Sequence, residues 1–323
     1  MISAIASYLV EIVSCKILAC AMVEEEKQHI CVCVCTHKRP HLLKRTLEGI
    51  VCQETGGLFT HSIVVVDNDR LESARPAVSD FGAVCPVRVE YCVETDQNIA
   101  KARNKALEKA TGSFIAFIDD DEFPTPNWLL TMFNFCLESG ADGVLGPVKP
   151  HFDEPPPKWI IRGGFCDRNE HLTGFELDWR QTRTGNVLFR RKMIEDIAAP
   201  FRSEFGAGGE DQDFFRRMIQ RGHRFVWCNE AVVYEVVPPQ RWRRAYMLGR
   251  ALQRGQNEKE NVLTFGSLGK SLVAVPCYAV LVPVLLLVRH DIFMKCLIRL
   301  CDHAGKLLGA AGFKPVGGRY IGH

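Results

Sequence analysis

Two kinds of segment alternate along the chain. Short apolar runs rich in β-branched residues predict buried strands, and longer runs with apolar residues every three or four positions predict helices. The predicted strands are 29–36, 62–66, 88–93, 114–118, 143–148, 185–190 and 225–228. The predicted helices are 40–53, 99–110 and 128–138.

Strands that alternate with helices are typical of an α/β fold with a mostly parallel sheet and helices on both faces. Ligands of such sheets bind beyond the carboxyl ends of the strands. Polar residues that directly follow an apolar strand are therefore the first candidates for a functional site. Asp67 follows the second predicted strand, and a run of four acids follows the fourth.

Length and composition limit the classes of protein. The 323 residues are 47% hydrophobic and 24% charged, enough for one large α/β domain with an appendage or for two small domains. The formal net charge of +2 lacks the basic excess of a general nucleic-acid binder, so no nucleic-acid partner is expected.

The 14 cysteines favour free thiols in a reduced, cytosolic environment. Cys31, Cys33 and Cys35 alternate along one predicted strand and should therefore share one of its faces. No pair of CxxC motifs is present, so small buried apolar side chains are a better interpretation than a structural zinc site.

The two ends of the chain differ from its middle. Residues 1–28 predict a weakly amphipathic extension without the features of a secretory signal. Residues 238–323 are basic and apolar, and predict a membrane-associating helical region. Residues 271–288 carry no charge and are just long enough to span a bilayer; a membrane segment and a buried core helix are equally compatible with them.

The run of four acids is the strongest candidate for chemistry, and it consists of Asp119, Asp120, Asp121 and Glu122. Such crowding is unfavourable unless a cation or a basic group neutralises it. In an extended chain Asp119 and Asp121 would point to the same side, which suits Mg²⁺ or Mn²⁺ sharing phosphate oxygens. The alternative is a solvated acidic turn before the next helix.

Three further positions are candidates. Asp67 would either bind a base or ribose or form an Asx-type turn. Arg103 lies near the start of a predicted helix, where anions are attracted, although a solvated surface cation is the ordinary alternative. Asp211 follows two glycines at the start of a later helix, where it would act as a general base or simply complement the helix dipole.

The order and spacing of these motifs resemble the family-two glycosyltransferases of the GT-A fold, over residues 29–254. Within that family the acidic segment is most similar to glucosyltransferases that build bacterial succinoglycan-type exopolysaccharides on a lipid carrier. The motifs that carry the resemblance are 34–40, 64–68, 98–104, 117–122, 184–187 and 209–213.

The resemblance implies a role for each matching residue. Thr36 and Asp67 would hold the nucleotide base, with Arg103 nearby, and Asp120 would approach the ribose. Asp119 is also expected at the nucleotide site. Asp121 would ligate the metal that bridges the diphosphate, and Asp211 would activate the acceptor hydroxyl.

The resemblance also has departures. Many relatives carry a histidine after the late strand, where this chain has Tyr234 and Glu235. Glu235 is therefore a candidate metal ligand in place of that histidine. A glycine common in the motif of the helix at 99–110 is replaced by Ile99 or Ala100.

The implied activity is an inverting, metal-dependent hexosyl transfer from a nucleoside diphosphate sugar, with UDP-glucose as the expected donor. The implied acceptor is a lipid-linked oligosaccharide at the cytoplasmic face of the bacterial inner membrane. The implied domain covers 29–237, with a nucleotide-sugar half at 29–148 and an acceptor-side half at 149–237. Two alternatives stay open: an inactive glycan-binding scaffold, and a nucleotidyltransferase that makes nucleotide sugars.

Overall fold

The computed structural model describes residues 27–206, 208–257, 265–287 and 289–313. The predicted N-terminal extension lies outside them except for its last two residues. The strands are β1 Gln28–Thr36, β2 Phe59–Asp67, β3 Val89–Val93, β4 Phe114–Phe117, β5 Glu122–Pro124, β6 Gly143–Leu145, β7 Val148–His151, β8 Val187–Arg190, β9 Phe225–Trp227 and β10 Val233–Val236. The α-helices are α1 Pro40–Val51, α2 Arg75–Gly82, α3 Ile99–Lys109, α4 Trp128–Ser139, α5 Lys158–Gly163, α6 Glu210–Gln220, α7 Arg244–Asn257, α8 Phe265–Leu286 and α9 His290–Ala310.

The main sheet has the strand order β3-β2-β1-β4-β8-β6-β9. Its neighbours pair in parallel except β8, which runs antiparallel to both β4 and β6. In the register of β1 and β2, Thr36 pairs with Asp67, so these two strands end at the same edge. The mostly parallel α/β sheet expected from the sequence is confirmed.

A second sheet has the order β5-β10-β7 and continues from the acidic run. The prediction of one strand over 143–148 is wrong, because β6 belongs to the main sheet and β7 to this one. Gly146 and Pro147 separate them. A Cβ atom at Gly146 would lie 2.2 Å from the carbonyl oxygen of Ala231, so the close approach of the chain there requires glycine.

The core is divided between the two faces of the main sheet. Ile30, Val32 and Val34 of β1 pack on the face covered by α1 and α4, whereas Cys31 and Cys33 pack on the face of α3 and α6. The predicted sharing of one strand face by these thiols is confirmed. The cysteines within the described residues are free, and no metal-binding group of His, Cys, Asp or Glu occurs there.

Three helices follow the sheets. Within the described residues, α8 is the one helix that is long and apolar enough to cross a membrane, over Leu268–Leu286 with a mean hydropathy of 1.8. Only 11% of that window is buried in the protein. Pro276 and Pro283 lie inside the helix and do not interrupt it. A single helix of this length and composition is weak evidence of membrane association.

Candidate active site

The acidic run lies where the chain leaves the main sheet for the second one. The backbone N–H of Glu122 donates to the carbonyl oxygen of Asp119 at 3.1 Å, which closes a turn. The expectation that Asp119 and Asp121 point to one side, away from Asp120, is therefore wrong. In the turn, Asp120 and Asp121 both face Arg39, whereas Asp119 and Glu122 both approach Gly185.

Asp120 is fully buried in the turn after β4 and is held by the last residue of β1 and by the residue before α1. The hydroxyl of Thr36 donates to its Oδ2 at 2.7 Å, and Nε of Arg39 donates to the same oxygen at 3.2 Å. Arg39 also donates to Oδ2 of Asp121 at 2.9 Å. Because Arg39 is the residue before α1, the start of this helix fixes the position of its guanidinium.

Arg241 connects the acidic turn to the second sheet. Its Nη2 lies 3.0 Å from Oδ2 of Asp121, and its Nη1 contacts Glu235 of β10. Arg168 also contacts Glu235. Glu235 is in register with Glu122 of β5. Because Arg241 contacts both Asp121 and Glu235, these two predicted metal ligands lie beside the same guanidinium.

On the opposite side of the turn, Arg103 of α3 is buried and forms an ion pair with Glu210 at the start of α6. Its Nη2 lies 4.0 Å from Oδ1 of Asp119. Burial alone would lower the pKa of Arg103, but the charges of Glu210, Asp119 and Asp211 raise it, so it stays a cation. Asp211 is partly exposed, and its Oδ1 accepts from the backbone N–H of Gln212 at 2.7 Å.

Asp120 and Glu122 are buried and poorly compensated, whereas Asp119 is partly exposed. Burial raises the pKa of Asp119 and of Glu122, and it raises the pKa of Asp120 to about 7 despite the nearby Arg39. One oxygen of Glu122, Oε1, is buried without a hydrogen-bond partner in the described part of the chain. Additional positive charge beside this turn would therefore be stabilising.

Asp67 is completely buried at the end of β2. Its oxygens accept from the backbone N–H groups of Asp69 and Ala74 at 3.1 and 2.7 Å, and from the hydroxyl of Tyr91 at 3.0 Å. The first contact is that of an Asx-type turn. The next residue, Asn68, lines the cavity described below, whereas Asp67 does not.

A cavity of about 210 Å³ opens at the carboxyl ends of β1 and β4. It brings together four of the predicted nucleotide contacts, namely Thr36, Arg103, Asp119 and Asp120. Asp67, Asp121, Asp211 and Glu235 do not line it.

The donor set for a metal is incomplete in the protein itself. Asp121 and Glu235 each contact arginine, and no group of three His, Cys, Asp or Glu side chains is arranged around a possible ion in the described residues. Mg²⁺ and Mn²⁺ take one or two carboxylates when phosphate oxygens and waters supply the other ligands. The residues present therefore fit a cation that is bound together with a diphosphate.

Sequence reasoning missed the arginines of this site. Arg39, Arg168 and Arg241 contact the acidic residues from three separate segments of the chain. Arg39 lies within a recognised motif, so its motif position was an available signal. Arg241 lies in the basic C-terminal region that the sequence indicates, and Arg168 lies in a loop; neither position predicts a carboxylate partner, because only the tertiary fold brings them together.

Asn186 illustrates a structural role within a recognised motif. Its side chain accepts from Nε1 of Trp128 at 2.7 Å and donates to the carbonyl oxygens of Pro147 and Ala231, both at 2.8 Å. It adopts a positive φ of 60°. The adjacent Gly185 leaves room for Glu122, whose Oε1 would lie 2.9 Å from a Cβ there.

The mixed sheet and the acidic turn at the ends of its parallel strands define a GT-A type glycosyltransferase fold. Residues 31–198 match the family model of Glycosyl transferase family 2. The chain is 34% identical over 238 residues to the succinoglycan biosynthesis protein ExoM of Rhizobium meliloti (strain 1021), covering 72% of this chain and 74% of that protein. The chain therefore belongs to glycosyltransferase family 2.

Two more distant similarities agree with this assignment. Hyaluronan synthase of Pasteurella multocida is 25% identical over 253 residues. The match covers 67% of this chain and 26% of that protein. The structure of S. aureus TarS 1–349 in complex with UDP superimposes with a TM-score of 0.51 at 17% identity, covering 89% of this chain and 93% of the other. That likeness concerns the fold.

Proposed function

We propose that this glycosyltransferase moves glucose from UDP-glucose to a lipid-linked oligosaccharide in exopolysaccharide or surface glycan biosynthesis. The observation that carries the proposal is the cavity at the ends of β1 and β4, where Thr36, Arg103, Asp119 and Asp120 meet. The name of ExoM supports the succinoglycan context, and the UDP and UDP-GlcNAc complexes of TarS support a nucleotide-sugar donor.

In this proposal the donor nucleotide lies in the cavity, with Thr36 on the side of the base and Asp120 towards the ribose. Asp67 does not line the cavity and would act on the base side only by holding the end of β2 in place. The diphosphate of the donor extends along the acidic turn towards Asp121 and Glu235. Mg²⁺ or Mn²⁺ held there would offset the negative charge of the leaving diphosphate. Arg39 and Arg241 then keep the two aspartates of the turn in place.

Asp211 is proposed as the general base. Its carboxylate accepts the proton of the acceptor hydroxyl, whose oxygen bonds to the anomeric carbon as the bond from that carbon to the diphosphate breaks. Attack opposite the leaving group inverts the anomeric configuration. Asp211 suits this role because it is partly exposed and close enough to Arg103 for its charge to raise the pKa of that cation.

The test measures transfer from radiolabelled UDP-glucose to extracted lipid-linked acceptors by the purified full chain, with UDP binding as a second readout. Asp211→Asn should lower kcat by roughly 10²–10⁴-fold and leave UDP affinity unchanged, because only the proton acceptor is lost. Asp213→Asn is the matched control, since Asp213 is bound to Arg217 at 2.8 Å within α6.

Unchanged transfer by Asp211→Asn would assign the base to another residue. Absence of both UDP binding and transfer in the unmodified chain would reject the donor assignment and favour a glycan-binding scaffold. The proposed location is the cytoplasmic face of the bacterial inner membrane, which the exposed apolar surface of α8 supports.

A further inference from the structure

A second and larger cavity is lined by Arg241, which does not line the cavity at the ends of β1 and β4 that is the proposed donor cavity. It has a volume of about 560 Å³ and is enclosed by the loop after α5, the end of β10, α7 and α9. We call it the basic pocket, because it is lined by Arg241, Arg250, Arg254, Lys295 and Arg299. Two acids, Glu235 and Asp302, oppose these five cations.

The two acids of the basic pocket already have cationic partners. Asp302 lies 3.1 Å from Arg254, and Glu235 contacts Arg241. Arg250 and Lys295 have no carboxylate within ion-pair distance in the described part of the chain. The pocket thus presents positive charge that the protein does not neutralise, which favours an anionic ligand.

A buried donor supports the same conclusion. Nε of Arg241 is buried and has no hydrogen-bond partner among the described residues. The same guanidinium lies 3.0 Å from Asp121 of the acidic turn, so an anion bound beside it would lie next to the proposed reaction centre. Nη1 and Nη2 of Arg241 are bound to Glu235 and Asp121, so Nε is the donor that an anionic oxygen could accept from in a charge-assisted hydrogen bond.

The surroundings point to an amphiphilic ligand. A cavity of about 460 Å³ adjoins the pocket, shares Arg254, Arg299 and Asp302 with it, and includes Tyr278 of the apolar helix α8. The row of cations therefore runs from the acidic turn to the middle of the apolar helix α8, so an anion held there would lie beside apolar surface, as the headgroup of a lipid does.

We propose that the basic pocket binds the phosphate or diphosphate group through which the acceptor sugar is joined to its lipid. This inference rests on the proposed function, because it assigns the acceptor side of the same transfer site. The lipid chain would follow α8, while the sugar would point past Arg241 towards Asp121. Binding at the pocket would thereby present the acceptor hydroxyl to the donor from the side opposite the nucleotide cavity.

The test measures the binding of three probes by the full chain in detergent micelles: farnesyl diphosphate, inorganic diphosphate and farnesol. Farnesyl diphosphate should bind at least about tenfold more tightly than either fragment, because it alone combines the anion with a chain. The double variant Arg250→Gln/Lys295→Gln should weaken that binding at least about tenfold, since two charge-assisted contacts are lost.

The matched control Lys44→Gln/Lys192→Gln removes two exposed cations outside the pocket and should leave the affinity for farnesyl diphosphate within about twofold of the unmodified chain. UDP affinity, measured in parallel, should be the same in all three proteins. A chain that binds farnesyl diphosphate but not UDP would reject the proposed donor site and retain the pocket.

Three outcomes would overturn the inference. Equal affinity of the pocket variant and the unmodified chain for farnesyl diphosphate would exclude the cations as its ligands. Farnesol binding as tightly as farnesyl diphosphate would show an apolar site only. Inorganic diphosphate binding as tightly as farnesyl diphosphate would show a site for free phosphate rather than for a lipid headgroup.

Discussion

Arginine side chains separate the carboxylates at the centre of this site. Asp121 is bound by Arg39 and Arg241, and Glu235 by Arg241 and Arg168. These contacts neutralise the acidic turn only in part, and they occupy Oδ2 of Asp121 and both oxygens of Glu235, which the metal hypothesis requires. A bound cation must therefore share or displace an arginine contact, and phosphate oxygens from the donor make that exchange more favourable.

Binding of Mn²⁺ should consequently depend on the nucleotide. We expect Mn²⁺ to bind the chain weakly alone and at least about tenfold more tightly with saturating UDP, because the diphosphate supplies the missing ligands. Electron paramagnetic resonance titration of free Mn²⁺ measures both affinities. Asp121→Asn should remove the effect of UDP, whereas Asp153→Asn, at an acid bound to Arg45 away from the turn, should retain it. Equal Mn²⁺ affinity with and without UDP would contradict this prediction.

The buried Asp120 should make stability depend on pH. Burial raises its pKa from 3.8 to about 7, so its contribution to stability is fully present below pH 3.8 and is lost as the pH rises through about 7. Asp120→Asn resembles the neutral form and lacks this titration. Between pH 5 and pH 8 the free energy of unfolding of the unmodified chain should therefore fall relative to the variant, by about 2–3 kcal/mol.

Urea denaturation of both proteins at several pH values measures that difference. Burial lowers the pKa values of His29 and His61, so these two residues destabilise the protein as the pH falls. Their contribution is the same in both proteins, and the comparison therefore removes it. Parallel pH profiles for the two proteins would show that Asp120 does not titrate in this range.

At the scale of secondary structure, strand ends position the nucleotide side of the site and glycines set the spacing of the C-terminal helices. Gly255 of α7 and Gly305 of α9 face each other across the contact between these helices. A Cβ on Gly305 would lie 2.3 Å from the carbonyl oxygen of Leu252, and one on Gly255 would lie 2.2 Å from that of Asp302. Backbone atoms cannot yield as a side chain can, so only glycine permits this approach.

Gly305→Ala should therefore destabilise the packing of α7 against α9 by about 1–3 kcal/mol, the usual cost of overpacking. Gly249→Ala is the matched control on α7, because a Cβ there meets no atom within 4 Å. The control should be neutral or more stable by about 0.5–1 kcal/mol through its higher helix propensity. Thermal unfolding measures both. Equal melting temperatures for the two variants would show that the helices do not pack this closely.

The sequence predicted those parts of the fold that depend on local patterns. The buried strands, Asp67 and the acidic run at their ends, and the α/β class all follow from periodicity and from ligand binding at strand ends. The split of 143–148 into two sheets escaped prediction, since it depends on the distant Ala231 approaching Gly146. The arginine partners of the acids escaped it as well, because a long side chain finds its partner only in the folded chain.

For the whole molecule, α7 and α9 link the transfer domain to the apolar helix α8. The basic pocket is lined by the end of β10 and by α7 and α9. The same helices would therefore couple the binding of the acceptor to the association of α8 with the membrane. The exposed side chains of α8 include Leu272, Val273, Val280 and Val284, which are 58–75% accessible. An apolar surface of this kind on a helix long enough to span a bilayer favours burial in lipid.

Membrane retention should therefore depend on this surface of α8. We expect the unmodified chain to stay in the membrane pellet after washing with about 1 M NaCl, because salt at that concentration screens purely ionic attachment. Val280→Lys/Val284→Lys should release the chain into the supernatant, since a lysine at the middle of an inserted helix costs roughly 2.5–3.5 kcal/mol and Val280 lies close to the middle of the apolar window of α8.

The matched control Val84→Lys/Leu172→Lys changes two residues that are 83% and 85% exposed outside α8, and it should be retained like the unmodified chain. UDP binding by each protein confirms that the transfer domain is folded. Release of the unmodified chain by salt would instead assign attachment to the cations of α7 and α9, because these are the exposed charges that salt screens. Equal retention of both double variants would place the anchoring surface elsewhere than α8.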